Sequence, residues 1–195
     1  MKLTVLVDNN TITDRYFLAE PGFSAFIEDG PTRILFDLGY SGIFATNADK
    51  MGVPLLKTDY IVLSHGHLDH TWGLLPFVRR YTEAQIEGHQ HSEPVIVAHP
   101  GALHSRSFSP LKEIGSIIDE SSLSRIFHLN LTEGPLWLTD HLVFLGEIKR
   151  RFKFEGTPLK GHMRMENGLE INDTLSDDSA LVYTGEEGLV IITGC

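Results

Sequence analysis

Short apolar runs separated by glycine and proline turns make up the first third of the chain. Residues 3–8 form one run, and residues 22–37 form two more around the turn at 29–31. Two apolar runs on either side of a glycine turn are typical of a β-hairpin. Apolar residues then recur at helical spacing over 44–51, before Gly52-Val53-Pro54. This spacing predicts a helix that ends at the turn.

The rest of the chain mixes strand and helix patterns, which predicts an α/β (α+β) fold. The expected elements are a strand at 60–63, a helix at 71–83 that Pro76 weakens or kinks, a strand at 94–100 that ends in a turn, a short helix at 103–107, a hairpin at 136–146 with its tip at 140–141, and a long loop at 153–175.

Two distant segments repeat the same pattern of a strand, a glycine turn, a second strand and a tight bend. They are residues 24–39 and residues 179–194. The repeat indicates an internally duplicated sandwich with a site at the seam between its halves. Chance similarity between two apolar hairpins is the alternative, because such hairpins share a common pattern.

Length and charge fit one globular domain over residues 1–195. The chain has 195 residues, of which 42% are hydrophobic, and a net charge of −10. An excess of acidic residues argues against a nucleic-acid partner. The sequence shows no apolar stretch of about 18 residues and no secretory signal, so we expect no membrane partner. The single cysteine is typical of a reducing compartment, so we expect a cytoplasmic protein.

Four residues of metal-binding types, three histidines and one aspartate, form a cluster that follows the strand at 60–63. The cluster reads His65-Gly66-His67-Leu68-Asp69-His70. Residues two apart in an extended segment point to the same side, so His65 and His67 can bind one cation. Asp69 and His70 lie where the chain turns and can face a second one. The alternatives are surface histidines, or a helix cap made by Asp69.

The donor set decides which metals are expected and what they would do. Imidazole and carboxylate suit zinc, with manganese, iron or nickel as alternatives, and the absence of a thiolate-rich set argues against a structural zinc finger. Two cations about 3.5–4 Å apart can turn water into hydroxide near neutral pH. The cluster therefore predicts a hydrolase that acts through a metal-bound hydroxide, with Asp69 as a ligand that also orients the hydroxide.

Three segments resemble the metallo-β-lactamase superfamily: residues 36–44, 59–67 and 190–195. Within it they resemble a microbial branch of metal-dependent hydrolases that is often labelled as similar to dihydropterin-ribofuranosylaminobenzene-phosphate synthase. The resemblance runs nearly end to end. It implies an αββα sandwich and a dinuclear metal site.

The resemblance also implies roles for individual residues. His65 and His67 belong to one metal, Asp69 and His70 to the other, Asp178 is a further ligand from the second half, and Asp37 orients the histidine loop without binding metal. Asp178 at a strand entry and Asp37 before Gly39 can instead be turn residues.

Two further candidates come from the same resemblance. Cys195 occupies a strand end where many relatives carry a bridging aspartate, so it is either a thiolate ligand or a small buried cysteine. Arg150 can pair with a phosphate or carboxylate of the substrate, or belong to a solvated charge run. In the family, a serine, a histidine, a helix, strands and a final histidine follow this point. We therefore expect the second half to lack strands and at least two ligands.

Three functions remain open from the sequence. The first is a dinuclear zinc hydrolase of a small ester, phosphoester or lactone. The second is a pterin-synthase-like transferase that uses a phosphoribosyl aromatic substrate, for which Trp137, Phe152, Phe154 and Arg150 are the hints. The third is an inactive or truncated metal-binding remnant.

Overall fold

The computed structural model of the chain describes residues 1–152, 161–165 and 167–195. Phe154, one of the aromatic residues considered above, lies outside the described residues. The strands are β1 (Lys2–Val7), β2 (Ser24–Asp29), β3 (Thr32–Phe36), β4 (Tyr60–Val62), β5 (Val95–Ala98), β6 (Ser105–Ser107), β7 (His128–Leu131), β8 (Leu136–Trp137), β9 (Leu142–Phe144), β10 (His162–Arg164), β11 (Glu170–Asn172), β12 (Ala180–Gly185) and β13 (Gly188–Thr193). The α-helices are α1 (Ile43–Met51), α2 (Leu68–Thr71), α3 (Leu74–Ile86) and α4 (Glu120–Leu123).

A six-stranded sheet in the order β1-β2-β3-β4-β5-β7 forms the centre of the fold. Strands β1 to β3 are antiparallel, and β3, β4, β5 and β7 run parallel. Because the carboxyl ends of parallel strands meet at one edge of a sheet, the loops after β3, β4 and β5 lie side by side. This edge carries the candidate site.

Alternation along the strands separates two hydrophobic cores. In β3, Leu35 packs with Phe44 and Phe77 from the helices. Its neighbours Ile34 and Phe36 face the other way and pack against the second sheet. Successive strand residues point to opposite faces, so a strand buried on both faces reads as a continuous apolar run.

The second sheet has four antiparallel strands in the order β13-β12-β9-β8. Its inner face contributes Phe144, Leu181 and Ile192 to the core between the sheets. Its outer face carries the exposed side chains of Trp137 and Ile191. Among the described residues, helices α1, α3 and α4 all contribute to the core on the other side of the six-stranded sheet.

The hairpins, the helix that ends at Gly52, and the strands at 60–62 and 95–98 agree with the sequence predictions. Three predictions were wrong. Pro76 lies in the first turn of α3, where proline costs no intrahelical hydrogen bond, so the helix continues to Ile86. Residues 103–107 contain β6 rather than a helix, and β10 and β11 replace part of the predicted 153–175 loop. These strands pair with one another in a third sheet of order β11-β10-β6.

No helix of the described residues has both the length and the hydrophobicity needed to cross a bilayer.

Candidate metal centre

The histidine cluster lies between the two sheets at the carboxyl end of β4. Ser179, at the start of β12, donates its backbone N–H to the carbonyl of Ser64 at 2.9 Å. Gly194, after β13, lies so close that a Cβ at this position would overlap Ser64 Oγ and Asp37 Oδ2. Both halves of the chain therefore contribute to the same site.

Asp37 is the hub of the hydrogen bonds beneath the cluster. It is fully buried and has a left-handed backbone with φ of 53°. Its Oδ1 accepts the backbone N–H of Ser64 at 2.7 Å, and its Oδ2 accepts Ser64 Oγ at 2.6 Å and His70 Nδ1 at 2.8 Å. A carboxylate at the back of a metal-binding histidine fixes the orientation of the ring and leaves the outer nitrogen free.

The same hydrogen bonds set the protonation of three imidazoles. The Ser64 hydroxyl donates to Asp37, so Ser64 Oγ accepts from His65 Nδ1 at 2.9 Å. His65 Nε2 then carries the lone pair and accepts from His67 Nδ1 at 3.0 Å. This series of donors ends at Asp37 and leaves Nε2 of His65 and His67 without a proton. His70 donates its Nδ1 proton to Asp37 separately, so its Nε2 carries no proton when the ring is neutral. An unprotonated imidazole nitrogen is the form that binds metal.

The electrostatics of His65 and His67 agree with this assignment, whereas those of His70 favour its protonated form. Desolvation lowers the pKa of His65 well below its ordinary value, and the charges of His70, His67 and Arg106 lower it further. Desolvation and the nearby Arg106 also lower the pKa of His67. Burial opposes protonation of His70 as well, but the hydrogen bond and charge of Asp37 outweigh it and raise its pKa. His65 and His67 are therefore neutral near pH 7.

The donor atoms of His65, His70 and Cys195 lie within 4.8 Å of one another. Ligand atoms around a tetrahedral zinc ion lie about 3.5 Å apart, so a small side-chain adjustment would bring these three to that spacing. His67 Nε2 is buried and has no hydrogen-bond partner among the described residues. Two imidazoles, a thiol and an unpaired ring nitrogen fit a borderline cation such as zinc.

The remaining predicted residues surround this group. Asp69 Oδ2 lies 3.6 Å from His70 Nε2, and the Asp69 side chain is one-third exposed. Asp178 is exposed, and desolvation together with the charge of Asp177 raises its pKa, while Arg150 and His70 lower it. Arg150 is also exposed and donates to the carbonyl of Thr174 at 2.6 Å. The division of the ligands between two metals stays a prediction.

Cys195 is exposed at the rim of the site. Desolvation raises the pKa of its thiol, and the charges of Asp69, Asp178 and Asp37 raise it further. A buried core cysteine, the alternative that the sequence left open, does not describe this residue. Its thiol faces the same point as the imidazoles of His65 and His70.

Sequence reasoning missed Ser64 and Arg106, and of the acidic pair at 177 and 178 it favoured Asp178 over Asp177. Ser64 is buried and connects Asp37 to His65, and its position directly before the first histidine was the only local signal. Arg106 and Asp177 form a buried ion pair beneath the histidine loop. Their contact joins residues 71 positions apart, so no local pattern reveals it.

The chain is similar in sequence to a known superfamily and to two proteins of one organism. A sequence model of the metallo-beta-lactamase superfamily matches residues 18–192. The chain is 30% identical over 196 residues to an uncharacterized protein of Methanocaldococcus jannaschii, covering 99% of the chain and 68% of that protein. It is 28% identical over 207 residues to the 7,8-dihydropterin-6-methyl-4-(beta-D-ribofuranosyl)-aminobenzene-5'-phosphate synthase of the same organism, covering 100% of the chain and 67% of the synthase.

The fold is similar to the crystal structure of a metal-dependent hydrolase of the beta-lactamase superfamily. The TM-score is 0.75 at 27% sequence identity, and the match covers 99% of the chain and 65% of that structure. The chain thus spans about two-thirds of the length of these relatives.

Proposed function

Because the chain belongs to the metallo-β-lactamase superfamily, as the resemblance predicts, we propose that it is a metal-dependent hydrolase of a small ester or phosphoester. The observation that carries the proposal is the convergence of His65, His70 and Cys195, together with the unpaired Nε2 of His67. Membership of the superfamily supports a hydrolase-type enzyme that binds divalent metal.

Zinc is the metal that we propose, with manganese, iron or nickel as alternatives, and two ions as the expected number. Bound there, such cations would lower the pKa of water and polarise the scissile ester or phosphoryl group. His65, His67 and His70 would hold them through ring nitrogens, Asp69 through its carboxylate, and Cys195 and Asp178 would complete the site from the second half.

Asp69, Asp37 and Ser64 would orient the attacking water and the imidazole rings. Asp69 is one-third exposed beside His70, so its carboxylate can accept a hydrogen bond from the attacking water and hold it against the substrate. Asp37 and Ser64 keep the imidazole rings in one orientation from below. The substrate would be a small molecule, because the acidic chain offers little attraction to nucleic acid.

A transferase activity is the second candidate, because one relative is named as a pterin synthase. An aromatic substrate would need an aromatic, anion-binding pocket. Trp137 and Phe152 are 58% and 62% exposed, and Trp137 lies in register with Val143 on the outer face of its sheet. The guanidinium of Arg150 binds a backbone carbonyl. These placements favour the hydrolase.

Metal analysis and hydrolysis assays test the proposal together. The 195-residue chain is loaded with zinc or manganese, its metal content is measured, and p-nitrophenyl acetate and bis(p-nitrophenyl) phosphate serve as probes. We expect metal-dependent hydrolysis that His67→Ala abolishes together with metal uptake. His91→Ala is the matched control, because His89 and His91 repeat the same spacing outside the site.

Three results would contradict the proposal. A His67→Ala variant with full metal content and activity would refute the ligand assignment. The transferase would be established if the chain binds metal, hydrolyses neither probe and joins a pterin to a phosphoribosyl aromatic compound. Metal binding without either reaction would identify a metal-binding remnant.

A further inference from the structure

Three buried charges lie directly beneath the histidine loop. Arg106 is 1% exposed, and Asp173 and Asp177 are 3% and 1% exposed. Arg106 Nη2 lies 2.7 Å from Asp177 Oδ2, and Arg106 Nε lies 3.0 Å from Asp173 Oδ2. Burying charges costs several kcal/mol per ion, and apolar residues of similar volume often stabilise a fold as well or better. A role beyond stability would explain why the charges are here.

Asp177 connects this group to the metal ligands. Its Oδ2 accepts the backbone N–H of Gly66 at 2.8 Å. Gly66 is the residue between His65 and His67, so any shift of its peptide moves both imidazoles. We propose that Asp177, held in place by Arg106, is a positioning residue that fixes His65 and His67 at the spacing needed for metal binding. The proposal rests on the metal centre described above.

Close packing supports the proposal. A Cβ on Gly66 would overlap Arg106 Nη1 and the carbonyl oxygen of Ala102, and would approach the carbonyl carbon of Ala102 to 2.9 Å. The guanidinium therefore lies directly against the loop. Its Nη2 also donates to the carbonyl of Gly101 at 3.0 Å, which ties the loop to the segment after β5. The loop is held through its backbone, and its imidazoles remain free to bind.

The sign of the charge also suits a cation site. Two carboxylates and one guanidinium leave one negative charge beneath the histidines. Negative charge close to a site favours a bound cation, and the low dielectric of the interior strengthens this effect. Arg106 alone would repel a cation, and its pairing with both aspartates offsets this repulsion.

The test compares Asp177→Asn with Asp173→Asn in the 195-residue chain. Both variants remove one carboxylate from the same buried group, but only Asp177 contacts Gly66. Groups that support metal ligands typically contribute 10- to 100-fold to metal affinity. We expect Asp177→Asn to weaken zinc binding by about that factor and to change the visible spectrum of the cobalt-loaded chain. Asp173→Asn removes the same charge but keeps the contact between Asp177 and Gly66. We therefore expect it to lower the melting temperature and to weaken zinc binding by no more than about threefold, well short of that factor.

Hydrogen exchange gives a readout that needs no metal. In the metal-free chain, the Gly66 amide should lose protection in Asp177→Asn and keep it in Asp173→Asn. Should Asp177→Asn fail to fold, Arg106→Lys decides by the same measurements, because lysine keeps the charge but cannot contact Asp173, Asp177 and Gly101 together.

The outcomes separate this inference from the proposed function. A wild-type chain that binds neither zinc nor cobalt would refute the metal centre, whereas the exchange of the Gly66 amide would still test the contact. Unchanged zinc affinity and Gly66 protection in Asp177→Asn would overturn the inference. The inference would also be overturned if both aspartate variants lost zinc affinity equally and in proportion to their losses of stability, since that result would show a structural role only.

Discussion

Replacing Asp37 with asparagine changes the hydrogen bonds beneath the metal ligands without changing the shape of the side chain. The three donors that meet this carboxylate are Ser64 N–H, Ser64 O–H and His70 Nδ1–H. An asparagine has one acceptor oxygen, so its amide group must face at least one of the donors. Asparagine tolerates the left-handed backbone found here, so the substitution should not lower stability through backbone strain.

The expected effect has two parts. A buried donor without an acceptor costs about 1–3 kcal/mol, which for a domain of this size corresponds to a melting temperature lower by about 2–12 °C. If the amide faces His70, the imidazole must move its proton to Nε2 and can no longer bind metal there. Loss of such a contact typically weakens metal binding 10- to 100-fold, or by about 1.4–2.8 kcal/mol.

The assay combines thermal unfolding of the metal-free chain with zinc titration against a chromophoric chelator. Asp29→Asn is the control, because Asp29 is also buried and accepts a hydrogen bond from Thr139 Oγ1, but lies at the turn between β2 and β3. We expect both variants to lose stability and only Asp37→Asn to lose zinc affinity. Equal zinc affinity in the two variants would refute the role of Asp37 in setting the imidazole.

Two further predictions concern the loop and the thiol. Gly66→Ala should lower the free energy of unfolding by about 1–3 kcal/mol and weaken zinc binding, because the added Cβ would overlap Arg106 and Ala102. Gly134→Ala is the control and should change neither property, because a Cβ there has no contact closer than 3.9 Å. Equal melting temperatures and zinc affinities in the two variants would contradict this prediction. Cys195 has a raised pKa, so less thiolate is present at pH 7 than in an ordinary thiol, and iodoacetamide should react slowly there and faster as the pH rises above 9. Bound zinc should suppress this reaction, and an alkylation rate that zinc leaves unchanged would remove Cys195 from the ligand set.

The sequence predicted the parts of the fold that local patterns determine. The hairpins β2–β3 and β12–β13 follow from apolar runs around short turns, and α1 follows from helical spacing with a glycine at its end. The four candidate metal ligands were also visible in the sequence, because they lie within six consecutive positions.

Long-range contacts account for what the sequence did not reveal. Strand β6 is only three residues long and exists because it pairs with β10, some 57 positions later, so local spacing suggested a helix instead. The adjacent acids Asp177 and Asp178 look alike in sequence, yet Asp177 is buried against Arg106 and Asp178 is exposed. Which of the two faces the loop depends on the position of Arg106, and only the folded chain shows this.

Because Gly194 has no side chain, the end of β13 can lie directly against Ser64 and Asp37 from the first half of the chain. Any larger residue there would push the end of β13 away from Ser64 and Asp37, and the thiol of Cys195 would move with it. Because the added Cβ would overlap Asp37 Oδ2 as well as Ser64 Oγ, a smaller residue at position 64 alone would not make room for it. Homologous sequences that keep Asp37 and Ser64 should therefore keep glycine at position 194.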